Sequence, residues 1–197
     1  MLALLLMVAC GGKGVDTAVV DADSASADTS SSVTDTAALE SELYGERPGA
    51  PVALPDFVAT NRDGTARGPA DLRGRPTVMW FYPGAGTPGC TTEGCGYRDL
   101  QSEFDALGVR IVGVGLDTPE ANQAWAEEEG YTFDIWRDDD RTLGRTYGAL
   151  DSATDRSVAR LTVLLDDEGN LLLTYPVVPV GTHPGQVLSD CEAIFGG

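Results

Sequence analysis

The residues best placed to do chemistry lie between Trp80 and Asp99, in the run WFYPGAGTPGCTTEGCGYRD. An apolar segment ends at Tyr82, a turn rich in glycine and proline follows, and Cys90 stands where a helix should begin. In the first turn of a helix, unpaired backbone N–H groups and the positive end of the helix dipole stabilise a thiolate. Thr87, three residues earlier on the incoming loop, offers a hydroxyl that can donate to or accept from a bound oxygen. The pattern is that of an activated sulfur nucleophile with a hydrogen-bonding group beside it.

The flanking sequence predicts the elements that must hold this site. Thr77 to Tyr82 is apolar and β-rich on both faces, as in a central strand of a covered sheet. After Cys90, residues Tyr97, Leu100, Phe104 and Leu107 fall on one helical face, so a helix is expected to end near Leu107-Gly108. Val109 to Leu116 reads as a second buried strand. Thr118 followed by Pro119 opens a helix as N-cap and first residue, and Gly130 closes it. Residues 56–60 and Tyr131 to Trp136 are expected strands, with a turn at Asn61 to Gly64, and Arg141 to Tyr147 a short helix. Leu161 to Leu165 and Leu171 to Tyr175, joined by a turn at 166–170, form a hairpin before a last helix from His183 to Phe195. Alternating β and α segments at these lengths imply an α/β domain, a central mixed sheet flanked by helices, and a thioredoxin-like core is compatible with that order.

Composition narrows the function. Thirteen Lys and Arg against 31 Asp and Glu give a net charge of −18, so nothing draws the chain to phosphate backbones and a nucleic-acid partner is not expected. Hydrophobic content of 42% supplies a core, and four cysteines are too few for a disulfide-stapled miniprotein. Three parts are expected: an apolar segment 1–10 ending at Cys10, an acidic Ser/Thr/Asp/Ala linker 11–50, and a folded domain 51–197. The linker lacks helical or strand periodicity and buries too little apolar surface to offset its ordering entropy. Nine apolar residues before Cys10 fall well short of the roughly 20 a membrane-spanning helix needs, but fit a signal h-region.

Pro83-x-x-x-Thr87-x-x-Cys90 matches the PxxxTxxC motif of peroxiredoxins, and FYP…TPGCTTEGCGYRD resembles their peroxiredoxin Q or bacterioferritin comigratory protein subgroup. The resemblance, over about Pro51 to Phe195, implies a thioredoxin-like fold and a peroxidase needing no metal or organic cofactor. It implies that Cys90 is the peroxidatic thiolate, that Thr87 orients the peroxide and that Pro83 shields the sulfur from bulk water. Arg160 occupies the place of the family's active-site arginine, with Arg156 the neighbouring alternative; a fixed guanidinium there would stabilise both the thiolate and charge developing on peroxide oxygens. Cys95 would be the resolving thiol, forming a Cys90–Cys95 disulfide that a thioredoxin-like dithiol protein then reduces. Five residues of α-helix place two Cα atoms about 8.6 Å apart, beyond the roughly 7 Å limit for a disulfide. The helix must therefore unwind for resolution, and Gly89, Gly94 and Gly96 each lower that cost by up to about 1 kcal/mol. A monomer is expected. The N-terminal segment resembles a bacterial lipoprotein signal, though it lacks a charged n-region and has Met7 where Leu is usual. That resemblance implies lipid on Cys10 and a tether, at the bacterial cell envelope facing the periplasm or exterior, of about 30–40 Å root-mean-square reach.

Other readings compete. Cys95 could be a small core residue, and Cys191 a buried hydrophobe or an alternative resolving or intermolecular thiol. His183, the only histidine, is expected to be solvated or capping. Asp138 to Asp140 reads as a solvated turn at a helix start, with Ca²⁺ binding the lesser alternative, and Glu127 to Glu129 as a solvated helix face. Two functions of other classes remain: a thioredoxin-fold copper chaperone, whose two cysteines would be separated by three residues rather than the four found here, and a catalytically silent lipid-tethered domain.

Overall fold

The run Thr77–Phe81 is buried at every position, and the fold is assembled around it. A computed structural model describes residues 43–197; segment 1–10, Cys10 and linker residues up to 42 lie outside the described residues. Among the described residues seven strands form one sheet: β1 Ala59–Asn61, β2 Ala66–Arg67, β3 Thr77–Phe81, β4 Arg110–Gly115, β5 Asp134–Asp138, β6 Leu161–Leu165 and β7 Leu171–Tyr175. Their spatial order is β2-β1-β5-β4-β3-β6-β7. β3 runs parallel to β4, and β4 to β5, while β6 and β7 are antiparallel additions and β1 closes the other side antiparallel to β5. The helices are α1 Pro88–Asp99, α2 Gln101–Ala106, α3 Pro119–Glu129, α4 Thr142–Tyr147 and α5 His183–Phe195.

The sheet divides the core in two. On one face Trp80 of β3 and Tyr82 just beyond it pack with Cys90, Cys95 and Tyr97 of α1, Phe104 of α2, Trp125 of α3, and Val187 and Cys191 of α5. On the other, Met79 and Phe81 meet Leu72, Trp136, Leu143 and Tyr147. This is the mixed sheet flanked by helices of the thioredoxin-like fold, and alternation along β3 serves both faces at once.

Local signals placed many boundaries well. Thr118 Oγ1 accepts from the Ala121 amide and Gly130 adopts a left-handed φ of 72°, as an N-cap and a helix stop should. The hairpin and the last helix have the expected limits. Other boundaries moved. The helix expected to reach Leu107 breaks at Leu100, which caps both α1 and α2; across this break Tyr97 and Phe104 both reach full burial. Tyr131 and Phe133 are not in a strand but stack on each other at 5.1 Å, and β5 starts at Asp134. Ahead of residue 51, residues 43–46 also pack against the sheet and the last helix. The amides of Tyr44 and Gly45 donate to the carboxylate of Asp190, at 3.0 and 2.8 Å, and Glu46 exchanges two backbone hydrogen bonds with Thr174 on the edge strand. The buried Asp190 carboxylate requires such donors, and the strap covers an otherwise open sheet edge.

Candidate active site

The path from β3 into α1 explains the position of Cys90. Tyr82 still donates its amide to Val114 of β4; the chain then leaves the sheet at Pro83, which is exposed, and turns through Gly86 at a φ of 71°. Thr87, extended at φ −76° and ψ 146°, is the N-cap, Pro88 the first helical residue, and Cys90 the third. Proline at the first position wastes no hydrogen bond, and Cys90 thus sits among the unpaired amides of the first turn. The Thr87 hydroxyl is exposed and donates to the Gly84 carbonyl at 3.0 Å.

Cys90 is a fully buried free thiol. Arg160 Nη2 donates to its Sγ at 3.2 Å, and Nη1 of the same guanidinium binds Oε2 of Glu93. Strand pairing brings these residues together across 70 positions: Phe81 at the end of β3 faces Leu161 at the start of β6, so Arg160 stands at the rim where Cys90 emerges. Arg156, the alternative, is exposed and does not meet the thiol. Burial alone would lower the Arg160 pKa, but its bonds to Cys90 and Glu93 and their charges raise it, keeping the guanidinium protonated. A side chain at position 89 would start 3.3 Å from Arg160 Nη2, so the glycine there leaves room for the arginine.

Glu93 is a site residue that motif reading passed over, although it lies three residues after Cys90 on the same helix face. Its side chain is fully buried, Oε1 has no partner, and burial pushes its pKa up to about 7 against the opposing pull of Arg160.

Cys95 lies on the inner side of α1, its Sγ 3.5 Å from Glu129 Oε2 and 3.8 Å from the Tyr131 hydroxyl. Cys90 is a free thiol, so the Cys90–Cys95 link is not made in this state. The intervening helix is intact, which holds the two residues apart. Gly94 and Gly96 also have a packing reason: a Cβ at 94 would fall 2.5 Å from the Tyr131 hydroxyl, and one at 96 would fall 2.8 Å from Pro184.

Two further expectations change. His183 is not solvated: it is fully buried at the start of α5, its Nε2 lies 2.9 Å from Thr162 Oγ1, and its Nδ1 has no partner. Burial first, and the nearby Arg160 charge second, lower its pKa to about 4. Asp138 is likewise buried, accepting the amides of Leu143 and Gly144 at the start of α4, while Asp139 and Asp140 bind Thr60 and the Val58 amide. Cys191 is fully buried, as a small core residue should be. Among the described residues no group of three or more His, Cys, Asp or Glu is placed to hold a metal ion, and no helix is long and apolar enough to cross a membrane.

A thioredoxin-like sheet that delivers a cysteine to a helix start, under an arginine from an adjoining strand, defines a thiol-based peroxidase. Residues 52–173 match the AhpC/TSA family, to which the chain therefore belongs. Within it the chain is a peroxiredoxin of the bcp/PrxQ type, a thiol-dependent peroxidase. It is 31% identical to a putative peroxiredoxin bcp of Coxiella burnetii over 139 residues, 68% of this chain and 92% of that protein. To peroxiredoxin Bcp of Escherichia coli K12 it is 29% identical over 140 residues, 68% and 90% of the two chains. The bacterioferritin comigratory protein of Xanthomonas campestris superposes with a TM-score of 0.65 at 28% identity, covering 78% of this chain and 99% of that one.

Proposed function

We propose that this peroxiredoxin is an atypical 2-Cys enzyme acting on hydrogen peroxide and organic hydroperoxides, with Cys90 as attacking thiolate and Cys95 as resolving thiol. The observation that carries the reading is the 3.2 Å contact from the Arg160 guanidinium to Cys90 Sγ at the N-terminus of α1. In the first step the Cys90 thiolate attacks the terminal oxygen of ROOH. An S–O bond forms, the O–O bond breaks, and the leaving oxygen takes a proton to give ROH or water. Arg160 balances charge as it moves from sulfur to oxygen, Thr87 orients the peroxide, and Pro83 screens the thiolate. Cys95 then displaces hydroxide from the Cys90 sulfenic acid, giving the Cys90–Cys95 disulfide and water once α1 has unwound. A thioredoxin-like dithiol exchanges with that disulfide, restores both thiols and is itself oxidised. The alkyl peroxide reduction activity of the Xanthomonas campestris protein supports organic hydroperoxides as substrates here.

The same proposal places lipid on Cys10, the enzyme as a monomer tethered at the bacterial envelope, and its active site facing the periplasm or exterior. Family membership leaves the copper-chaperone and silent-domain readings without support. Fully reduced protein treated with peroxide should lose free thiol at Cys90 within seconds and show a Cys90–Cys95 linkage by mass spectrometry. Cys95→Ser protein should stop after one turnover and over-oxidise; steady turnover in that variant would remove Cys95 from the mechanism. Mass spectrometry of protein from its native membrane tests the lipid on Cys10.

A further inference from the structure

The site holds two acids and one cation. Arg160 extends Nη2 to Cys90 and Nη1 to Glu93, and both acids are fully closed off from water. The other titratable groups facing Glu93 cannot alter that balance near neutral pH. Tyr97, one turn further along α1, is held neutral because burial, and then the Glu93 charge, raise its pKa well above the usual value. His183, across from Tyr97 on α5, stays neutral with a pKa lowered to about 4. Cys191 behind them is kept protonated by burial and by Asp190 and Glu192, and Tyr82 and Tyr131, which feel the Cys90 charge, are held neutral because burial raises their pKa values. Ionising either Cys90 or Glu93 therefore gives a neutral pair with Arg160, and ionising both leaves an uncompensated buried negative charge, which is costly. The unpartnered Oε1 of Glu93 is where a proton on that carboxyl would sit without breaking the bond from Oε2 to Arg160.

We propose that Cys90 and Glu93 compete for the single charge of Arg160, so that Glu93 carries the proton whenever Cys90 is a thiolate, and Glu93 is thereby the positioning residue that sets the pH range of the nucleophile. This rests on Cys90 being the nucleophile, but it concerns the resting site and can be examined without peroxide. The burial that moves the Glu93 pKa up to about 7 supports the competition, since such a carboxyl is poised to hold or release a proton at working pH.

The test is the rate of Cys90 alkylation by iodoacetamide between about pH 4 and 9 in the reduced full chain, read at Cys90 by fragment-ion mass spectrometry. Wild type should show a broad profile spanning two coupled steps. Glu93→Gln, which keeps the shape and the bond to Arg160 but removes the competing charge, should show one step displaced to lower pH, with alkylation on the acid side about tenfold faster. A Glu93→Gln profile that superimposes on wild type, or moves to higher pH, overturns the proposal. A second measurement needs no Glu93 variant: infrared difference spectra near neutral pH should show a protonated-carboxyl band in the reduced protein that disappears on alkylating Cys90, because the freed guanidinium then favours the Glu93 carboxylate. Persistence of that band after alkylation, or its absence before, overturns the proposal as well. Loss of reaction with peroxide while both results hold would instead count against the peroxidase reading.

Discussion

Cys90 and Cys191 are both fully buried free thiols on helices that pack against the same face of the sheet, yet their surroundings are opposite. Cys90 is the third residue of α1, with a guanidinium 3.2 Å from its sulfur. Cys191 lies in the second half of α5 between Asp190 and Glu192, and burial together with those two carboxylates drives its pKa upward. Burial by itself makes a thiol inert, because an isolated buried anion is expensive. A cation in contact and a helix N-terminus turn the same burial into an advantage by removing the water that would weaken the pairing. Reactivity in this molecule is thus decided by charge, and exposure does not distinguish the two cysteines.

The largest test of that contrast is the pair of serine variants. Cys90→Ser should reduce the second-order rate with hydrogen peroxide by on the order of 10⁴-fold, while Cys191→Ser should stay within about twofold of wild type, both read by stopped-flow peroxide consumption. Replacing the cation alone should come next: Arg160→Met should lower the same rate by roughly 10²- to 10³-fold, the usual loss for one fixed charge-stabilising donor. Arg156→Met, altering an exposed cation, should leave it unchanged.

The dry end of the comparison makes a pH prediction. The His183 pKa falls from 6.5 to about 4 on burial, so below pH 6.5 the unfolded chain takes up a proton that the folded chain refuses. Stability is therefore present above pH 6.5 and is lost as pH falls toward 4. Between about pH 7 and 4.5 this contribution is about 2.5 kcal/mol, and His183→Gln should remove it, measured as the difference between wild-type and variant urea unfolding at the two pH values. An equal loss in both proteins would show that His183 does not carry the acid sensitivity. The smallest effect concerns packing between α1 and the segment that follows α3: Gly94→Ala, crowding the Tyr131 hydroxyl, should lower stability by about 1–3 kcal/mol, seen as a drop in Tm.

Much of the site was legible before any fold was known, because its parts are local. The helix start at Thr87-Pro88, the placement of Cys90 in the first turn, and the N-cap at Thr118 each depend on residues a few positions apart, whose backbone preferences hold in any surroundings. Strand limits were less legible. Tyr131 and Phe133 have strand-like composition, yet their rings stack beneath α3, where Trp125 packs edge-on against Tyr131. The strap at residues 43–46 left no periodic signal, since it is held by backbone amides reaching the carboxylate of Asp190, 145 and 146 positions away. Glu93 had a legible spacing from Cys90, but whether a helix carboxylate is solvated or buried depends on what lies opposite.

By itself, then, the sequence determined the class of fold, the cysteine in the first turn of a helix and the helix that carries it, all consequences of short-range geometry. Only the tertiary structure decided that Arg160 rather than Arg156 meets Cys90, that Glu93 shares the same guanidinium, and that His183 is dry. The physical reason is the register of β6 against β3: pairing fixes which residue stands at the sheet's rim, and packing then removes the water that would otherwise make every exposed charge look alike.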